Sequence, residues 1–139
     1  MCSNPFIDSR PTVVVLDANI AVRSGVEALL RTLPTHVAGF ASAGDFLAAV
    51  DRGMQPDCLV VDLSLPDLSV VALLAELKRR GRSIPTILLS GNSEVDSAVE
   101  AMRAGAITCI EKPYIARFLL EQVAPLVDLG AAAPRDRPA

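Results

Sequence analysis

Apolar and polar positions along the chain follow two alternating patterns. Five short runs rich in Val, Ile and Leu lack polar alternation, which is typical of strands covered on both faces of a parallel sheet. Between these runs, apolar residues recur every three or four positions, as on one face of a helix. The runs are Thr12–Leu16, His36–Phe40, Cys58–Val61, Thr86–Leu89 and Ile107–Ile110. The patterns predict five strands, each followed by a helix.

The predicted helices have apolar faces and recognisable ends. The clearest faces are formed by Val22, Val26, Leu29, Leu30 and Leu33, by Val70, Leu73, Leu74 and Leu77, and by Val95, Ala98, Val99 and Met102. Two serines followed three residues later by an aspartate, Ser42 and Ser93, predict helix N-caps. Gly81 and Gly105 predict the C-terminal ends of helices. We expect the last helix to begin near Tyr114 and to end around Pro125.

The alternation of strands and helices predicts the architecture. Right-handed crossovers place helices on both faces of an open parallel sheet. Five such units fit an α/β, doubly wound (βα)5 flavodoxin-like fold with strand order 2-1-3-4-5. A length of 139 residues suits one domain, which we expect at residues 12–127. Residues 1–11 form an N-terminal extension in this division, and the Ala/Pro-rich residues 128–139 a flexible tail or truncated linker.

Composition narrows the class of protein. Hydrophobic residues make up 51% of the chain and charged residues 21%, which excludes intrinsic disorder for its bulk. Mean hydropathy is +0.41, but no apolar stretch is long enough for a membrane span. A net charge of −3 argues against direct nucleic-acid binding. Three cysteines without CxxC spacing indicate neither a disulfide framework nor a zinc site, so we expect a soluble cytoplasmic protein.

Candidate chemistry lies where the predicted strands end. Asp17, Asp62, Ser90 and Lys112 follow four of the apolar runs. The carboxyl ends of parallel strands share one edge, with neighbours about 4.8 Å apart, so these side chains can converge. An aspartate can accept a phosphoryl group, and Mg²⁺ prefers carboxylate and carbonyl oxygens. The candidate Mg²⁺ ligands are the carboxylates of Asp17 and Asp62 and the main-chain carbonyl of Ser64.

Four ordered motifs identify a family resemblance. The segments VVVLDANIAVRSGVEALL, CLVVDLSLPD, PTILLSGNSEVDSAVEAMRAGA and IEKPY resemble, in sequence and spacing, the receiver domain of two-component response regulators. The resemblance covers residues 12–127. It implies that Asp62 accepts a phosphoryl group from a phosphohistidine on a sensor histidine kinase. It further implies that Ser90 hydrogen-bonds this group and that Lys112 pairs with it.

Two positions depart from the family pattern. Receivers usually have two adjacent acidic residues after the first strand, whereas this chain has Asp17 followed by Ala18. The loss of one carboxylate predicts weaker Mg²⁺ binding and slower phosphoryl transfer, with Asp17 or Asn19 as partial substitutes. The family's switch aromatic, three residues before the lysine, is replaced by Cys109. Because a thiol lacks the bulk of an aromatic ring, we expect signal output to be altered or absent.

The resemblance predicts a signalling receiver rather than an enzyme, apart from its own phosphorylation and dephosphorylation. Expected partners are a sensor histidine kinase and a downstream target or appended output domain. A homodimer through helix 4, strand 5 and helix 5 is a candidate assembly, because phosphorylation would bias two states of that face. The main alternative is a degenerate receiver that binds a partner without phosphorylation. A small phosphatase is disfavoured, because Asn19 stands where haloacid-dehalogenase-type enzymes place a second carboxylate.

Several residues also have purely structural interpretations. Asp17 could serve only as the N-cap of the first helix. Cys58 and Cys109 lie in apolar runs and are interpreted as core residues. Cations are favoured at a helix C-terminus, which is the simplest explanation of a basic run consisting of Lys78, Arg79, Arg80 and Arg82.

Overall fold

Five parallel strands form the centre of the molecule. The computed structural model describes residues 10–91, 95–111 and 116–127. The strands are β1 (Thr12–Leu16), β2 (His36–Phe40), β3 (Cys58–Asp62), β4 (Thr86–Ser90) and β5 (Thr108–Glu111). They pair in parallel in the order β2-β1-β3-β4-β5. The predicted doubly wound α/β fold and its strand order are confirmed.

Helices follow the strands as predicted. They are α1 (Ile20–Leu30), α2 (Ala43–Asp51), α3 (Val70–Arg79), α4 (Val95–Arg103) and α5 (Ala116–Val123), and a 3₁₀ turn (Ala124–Val127) follows α5. Ser42 Oγ accepts a hydrogen bond of 3.2 Å from the Asp45 amide, which confirms that N-cap. Gly81 follows α3 with φ of +74°, a conformation that favours glycine. Among the described helices, none has the length and apolar character needed to cross a membrane.

The sheet separates two layers of buried side chains. Val13 and Val15 of β1 pack with α1 and α5, whereas Val14 and Leu16 pack with α2, α3 and α4. This alternation follows from the two-residue period of a strand, and both layers are apolar because helices cover both faces. Phe46 of α2 is among the largest fully buried side chains.

Helix α4 does not bury the apolar face predicted for it. Ala101 is fully buried, whereas Val99 is 45% exposed and Met102 is 38% exposed. The prediction is correct for α3, whose four apolar positions are all buried. On α4 a small residue provides the close contact with the core. The bulkier residues therefore lie at the margin of the helix contact.

Strand β2 also differs from the prediction of full coverage. His36 and Gly39 are exposed, and the remaining residues of β2 are only partly buried. The strand order explains this difference, because β2 pairs with β1 alone and lies at the edge of the sheet. The N-terminal extension, Ser93, Tyr114 and the C-terminal tail lie outside the described residues.

Candidate functional site

Two buried carboxylates lie level with each other at the carboxyl edge of the sheet. The register between β1 and β3 pairs Leu16 with Val61, so Asp17 and Asp62 each follow by one residue. The Asp17 amide also donates to the carbonyl of Phe40 at 3.1 Å, so Asp17 remains on the β1–β2 ladder. Asp17 is 3% exposed and Asp62 is 7% exposed. Two carboxylates this buried on adjacent strands repel each other and favour a cation between them.

Ser90 reaches the same edge from the other face of the sheet. Residues of β3 alternate in direction, so Asp62 starts on the face shared by Val60, α1 and α5. Ser90 follows the parity of Leu88, which packs against the opposite layer. Ser90 is 3% exposed. Its hydroxyl donates a hydrogen bond to the carbonyl of Gly91 at 2.9 Å. Asp62 thus ends the middle one of three adjacent strands, between the strand that precedes Asp17 and the strand that ends with Ser90. Lys112 lies outside the described residues.

The loop after β1 is organised by Asn19. Asn19 Oδ1 accepts hydrogen bonds from the amides of Ala21 at 2.9 Å and Val22 at 3.1 Å, so Asn19 is the N-cap of α1. The interpretation of Asp17 as the N-cap is therefore wrong, because Asp17 is still on the strand ladder. Asp17 Oδ1 instead accepts from the Asn19 amide at 2.9 Å. Since the Asn19 side chain is engaged in capping, it is poorly placed to substitute for a missing carboxylate.

The loop after β3 is tied to a neighbouring helix by Asp67. Its carboxylate accepts hydrogen bonds from the amides of Ala43 at 3.1 Å and Gly44 at 2.9 Å, at the N-terminus of α2. The Gly44 hydrogen bond is the main cause that lowers the pKa of Asp67 below its usual value. Asp67 is the last residue of the CLVVDLSLPD segment, but nothing in the local sequence predicts this contact. The carboxylate fixes the far end of the loop that contains Ser64.

We expect Asp67→Ala to lower the free energy of unfolding at pH 7 by about 1 kcal/mol or less, because an exposed helix-terminal acceptor is lost. The pKa of Asp67 is lowered in the folded state. Its contribution is therefore present above the unfolded pKa of about 4 and is lost as pH falls through the lower folded value. Urea unfolding at pH 7 and pH 3 measures this. Asp67→Asn, which keeps one acceptor oxygen, should be intermediate; an equal deficit of Asp67→Ala at both pH values would contradict the assignment.

The donor set at this edge suits a hard divalent cation. Mg²⁺ binds proteins through one or two carboxylates and retains several waters. Asp17 and Asp62 provide two carboxylates on adjacent strands, and Asp17 Oδ2 is buried. Within residues 10–91, 95–111 and 116–127, no group of three His, Cys, Asp or Glu side chains could hold a metal ion. Among these residues the fit to Mg²⁺ rests on the two carboxylates alone, and the Ser64 carbonyl remains a predicted ligand.

A cavity of about 420 Å³ lies between α4 and the end of the sheet. Its walls include Ser90, Cys109 and three apolar residues of α4, which are Ala98, Val99 and Met102. Cys109 is half-buried: it packs against the hydrophobic core and also lines this cavity, so its interpretation as a core residue is confirmed in part. The cavity has the size of many ligand pockets, and an aromatic side chain would fit it easily. The small thiol at position 109 thus leaves a space directly beside Ser90.

We expect the two described cysteines to react very differently with a thiol reagent. Cys58 is fully buried, and burial raises its pKa to about 12. Since the thiolate is the reactive form, the buried Cys58 should react very slowly at pH 8. In a Cys2→Ser background, Cys109 should be modified by iodoacetamide, and Cys58 only after unfolding. Peptide mass mapping measures this; rapid native modification of Cys58 would contradict it.

The basic run forms ion pairs at the C-terminal ends of α2 and α3. Arg80 Nε lies 2.7 Å from Asp51 Oδ1, and Arg80 Nη1 lies 2.7 Å from Glu76 Oε1. The hydrogen bond from Arg80 is the main cause that lowers the pKa of Asp51. Lys78 and Arg79 lie in the last turn of α3, where cations are favoured. The contacts support the structural interpretation of this run.

Comparisons with known proteins agree on one family. A family model described as the response regulator receiver domain matches residues 13–124. The response regulator protein TodT from Pseudomonas putida is 32% identical over 130 residues, covering 94% of this chain and 56% of TodT. The transcriptional regulatory protein FixJ from Azorhizobium caulinodans is 36% identical, covering 90% of this chain and 58% of FixJ.

A solved structure extends the comparison to three dimensions. Full-length FixJ from B. japonicum aligns with a TM-score of 0.80 and 29% identity, over 90% of this chain and 61% of that chain. The present chain spans little more than half the length of the two curated relatives, TodT and the A. caulinodans FixJ.

Proposed function

Because the chain belongs to the response regulator receiver domain family, we propose that Asp62 accepts a phosphoryl group from a histidine of a sensor kinase. A carboxylate oxygen of Asp62 attacks phosphorus, an O–P bond forms, and the N–P bond to the donor histidine breaks. The imidazole leaves with the bonding electron pair and takes up a proton. The product is an aspartyl-phosphate. The observation that carries the proposal is the level placement of buried Asp17 and Asp62.

The surrounding residues have distinct tasks in this proposal. Asp17, Asp62 and the Ser64 carbonyl would hold Mg²⁺, which when bound offsets the negative charge of the phosphoryl oxygens. The Ser90 hydroxyl exchanges its hydrogen bond to Gly91 for one to a phosphoryl oxygen. Lys112 pairs with another phosphoryl oxygen, a role that rests on the family resemblance. Burial strengthens each interaction, since little water competes at the edge of the sheet.

We assign the phosphorylated domain a switching role, with only self-phosphorylation and dephosphorylation as chemistry. Phosphorylation of Asp62, followed by the change of hydrogen-bond partner at Ser90, would bias two arrangements of the α4, β5 and α5 face, through which a target, an output domain or a second copy is bound. The curated relatives are named as regulators, and the chain covers 56% of TodT and 58% of FixJ. The output is therefore proposed to be regulatory. We place the protein in the cytoplasm, because the proposed donor kinase takes its phosphoryl group from ATP.

The direct test is incubation with acetyl phosphate and Mg²⁺, followed by intact-protein mass measurement. We expect one phosphate-mass adduct that is labile to hydroxylamine, as acyl phosphates are. The adduct should require Mg²⁺ and should be lost on chelation before the donor is added. An unmodified chain after prolonged incubation in high Mg²⁺ would contradict the proposal.

A second function, a phosphorylation-independent interaction module, is favoured by Ala18 and by the cavity at Cys109. In that case neither the metal pocket nor the Ser90 hydroxyl is coupled to partner binding. The discriminating measurement is the response of amide resonances to Mg²⁺ and beryllofluoride. The module predicts no shift in α4 or β5, whereas the phosphoacceptor predicts saturable shifts in both.

A further inference from the structure

Arg23 connects helix α1 to the backbone of the candidate site. Its Nη1 donates to the main-chain carbonyl of Asp17 at 2.7 Å. The Arg23 side chain is 16% exposed, so this hydrogen bond is largely protected from competing water. The contact spans six residues, from the last residue of the β1 ladder to the first turns of α1. A charged donor to a carbonyl is stronger than a neutral one, and it restrains the peptide that carries the Asp17 carboxylate.

Glu27 holds the guanidinium of Arg23 in place. Arg23 Nε lies 3.7 Å from Glu27 Oε2, one helical turn away, and the Glu27 side chain is 18% exposed. On its other side, Glu27 Oε1 lies 3.7 Å from Nη2 of Arg31. The planar guanidinium uses Nη1 for Asp17 and Nε for Glu27 at the same time. An ammonium group has no such fixed pair of donors, so lysine cannot reproduce both contacts in the same geometry.

Gly39 of β2 provides the space that this arrangement needs. A Cβ atom at position 39 would collide with Glu27 Oε2 and would lie 3.1 Å from Arg23 Cδ. Gly39 pairs with Val15 of β1, two residues before Asp17. A side chain at position 39 would therefore displace the end of the Glu27 side chain from its place over the strand. Successive contacts therefore connect β2 to α1 and α1 to the end of β1, where they reach Asp17.

We propose that Arg23, held by Glu27 over Gly39, is a positioning residue that sets the direction of the Asp17 carboxylate toward a bound Mg²⁺. The inference rests on the proposed metal pocket. Ala18 makes it specific to this chain, because Asp17 is left as the sole carboxylate of its loop. With the peptide carbonyl fixed by Arg23 and Oδ1 fixed by the Asn19 amide, Oδ2 is directed inward.

The test follows Mg²⁺ binding without any phosphoryl donor. The amide resonance of Asn19, whose proton is donated to Asp17 Oδ1, is recorded during a Mg²⁺ titration. We expect Arg23→Gln to raise the half-saturating Mg²⁺ concentration about tenfold, the size typical of lost support behind a metal ligand. Arg23→Lys should recover part of the loss. Arg31→Gln is the matched control, since Arg31 contacts Glu27 but not Asp17, and it should bind as the wild type does.

A second variant separates geometry from charge. Gly39→Ala retains Arg23 but displaces Glu27, and we expect it to weaken Mg²⁺ binding in the same direction. In the acetyl phosphate reaction, both variants should require more Mg²⁺ while keeping the wild-type rate at saturating Mg²⁺. If Arg23→Gln does not fold, Gly39→Ala and Glu27→Gln replace it, and their half-saturating Mg²⁺ concentrations are compared with that of Arg31→Gln in the same way.

Equal half-saturation for Arg23→Gln and Arg31→Gln would overturn the inference, as would a wild type whose Asn19 amide does not respond to Mg²⁺. If the wild type binds Mg²⁺ but forms no phosphate adduct, the proposed function fails while the positioning role stands.

Discussion

Asp62→Asn is expected to abolish phosphoryl uptake from acetyl phosphate, with a loss on the order of a thousandfold or more, because an amide is not a nucleophile. The replacement is nearly isosteric. Asp62 is 7% exposed at the end of β3, and the ladder continues beyond it through the Leu63 amide, which donates to the Leu89 carbonyl at 3.0 Å. The fold should therefore be retained. Intact-protein mass measurement after incubation with donor and Mg²⁺ records the loss directly.

Asp57→Asn provides the matched control. Asp57 immediately precedes β3 at the opposite edge of the sheet, where its Oδ2 accepts from the Thr12 amide at 2.9 Å. Asparagine can keep that hydrogen bond through its carbonyl oxygen. We expect this variant to form as much adduct as the wild type. Adduct on Asp62→Asn at the wild-type level would show that another residue is the acceptor.

Ala18→Asp is expected to increase Mg²⁺ affinity about tenfold or more, because a third carboxylate joins two that are already buried. Ala18 is exposed in the loop between β1 and α1, so a longer side chain meets no steric barrier there. Without metal, the added charge should lower the free energy of unfolding by roughly 1 kcal/mol through repulsion. The melting temperature should therefore fall in chelator and rise above that of the wild type in Mg²⁺.

Ser24→Asp separates the local effect from net charge. Ser24 is exposed on α1, and its replacement adds the same charge. We expect this variant to melt with the same small Mg²⁺ dependence as the wild type. If Ala18→Asp and Ser24→Asp respond alike to Mg²⁺, the loop after β1 does not contribute to a metal pocket.

Most of the fold could be predicted because parallel strands and amphipathic helices impose different periods. The predicted runs match β1 and β2 fully and the other strands to within one residue at each end. The strand order was predicted from the fit of five strand–helix units to the flavodoxin-like arrangement, and it is confirmed. The placement of Asp17 and Asp62 at one edge was equally accessible, since both directly follow apolar runs on strands that the predicted order makes neighbours.

Features that depend on how the helices and strands pack in three dimensions could not be predicted. The period of α4 identifies an apolar stripe, but only the packed structure reveals that Ala101 is buried while Val99 and Met102 border a cavity. The contact of Arg23 with the Asp17 carbonyl depends on how α1 returns along β1. Asp67 meets the start of α2 across 24 residues of sequence, a distance that no local pattern reports.

The contrast between the two thiols gives this chain its own spectroscopic reporter. Cys109 borders the cavity beside Ser90, whereas Cys58 is sealed inside the sheet. A trifluoroethyl group attached at Cys109 would place a ¹⁹F nucleus in the space where rearrangement of Ser90 is expected. Its resonance frequency and linewidth would then report exchange between signalling states under any donor or partner, with no change to the acidic pocket itself.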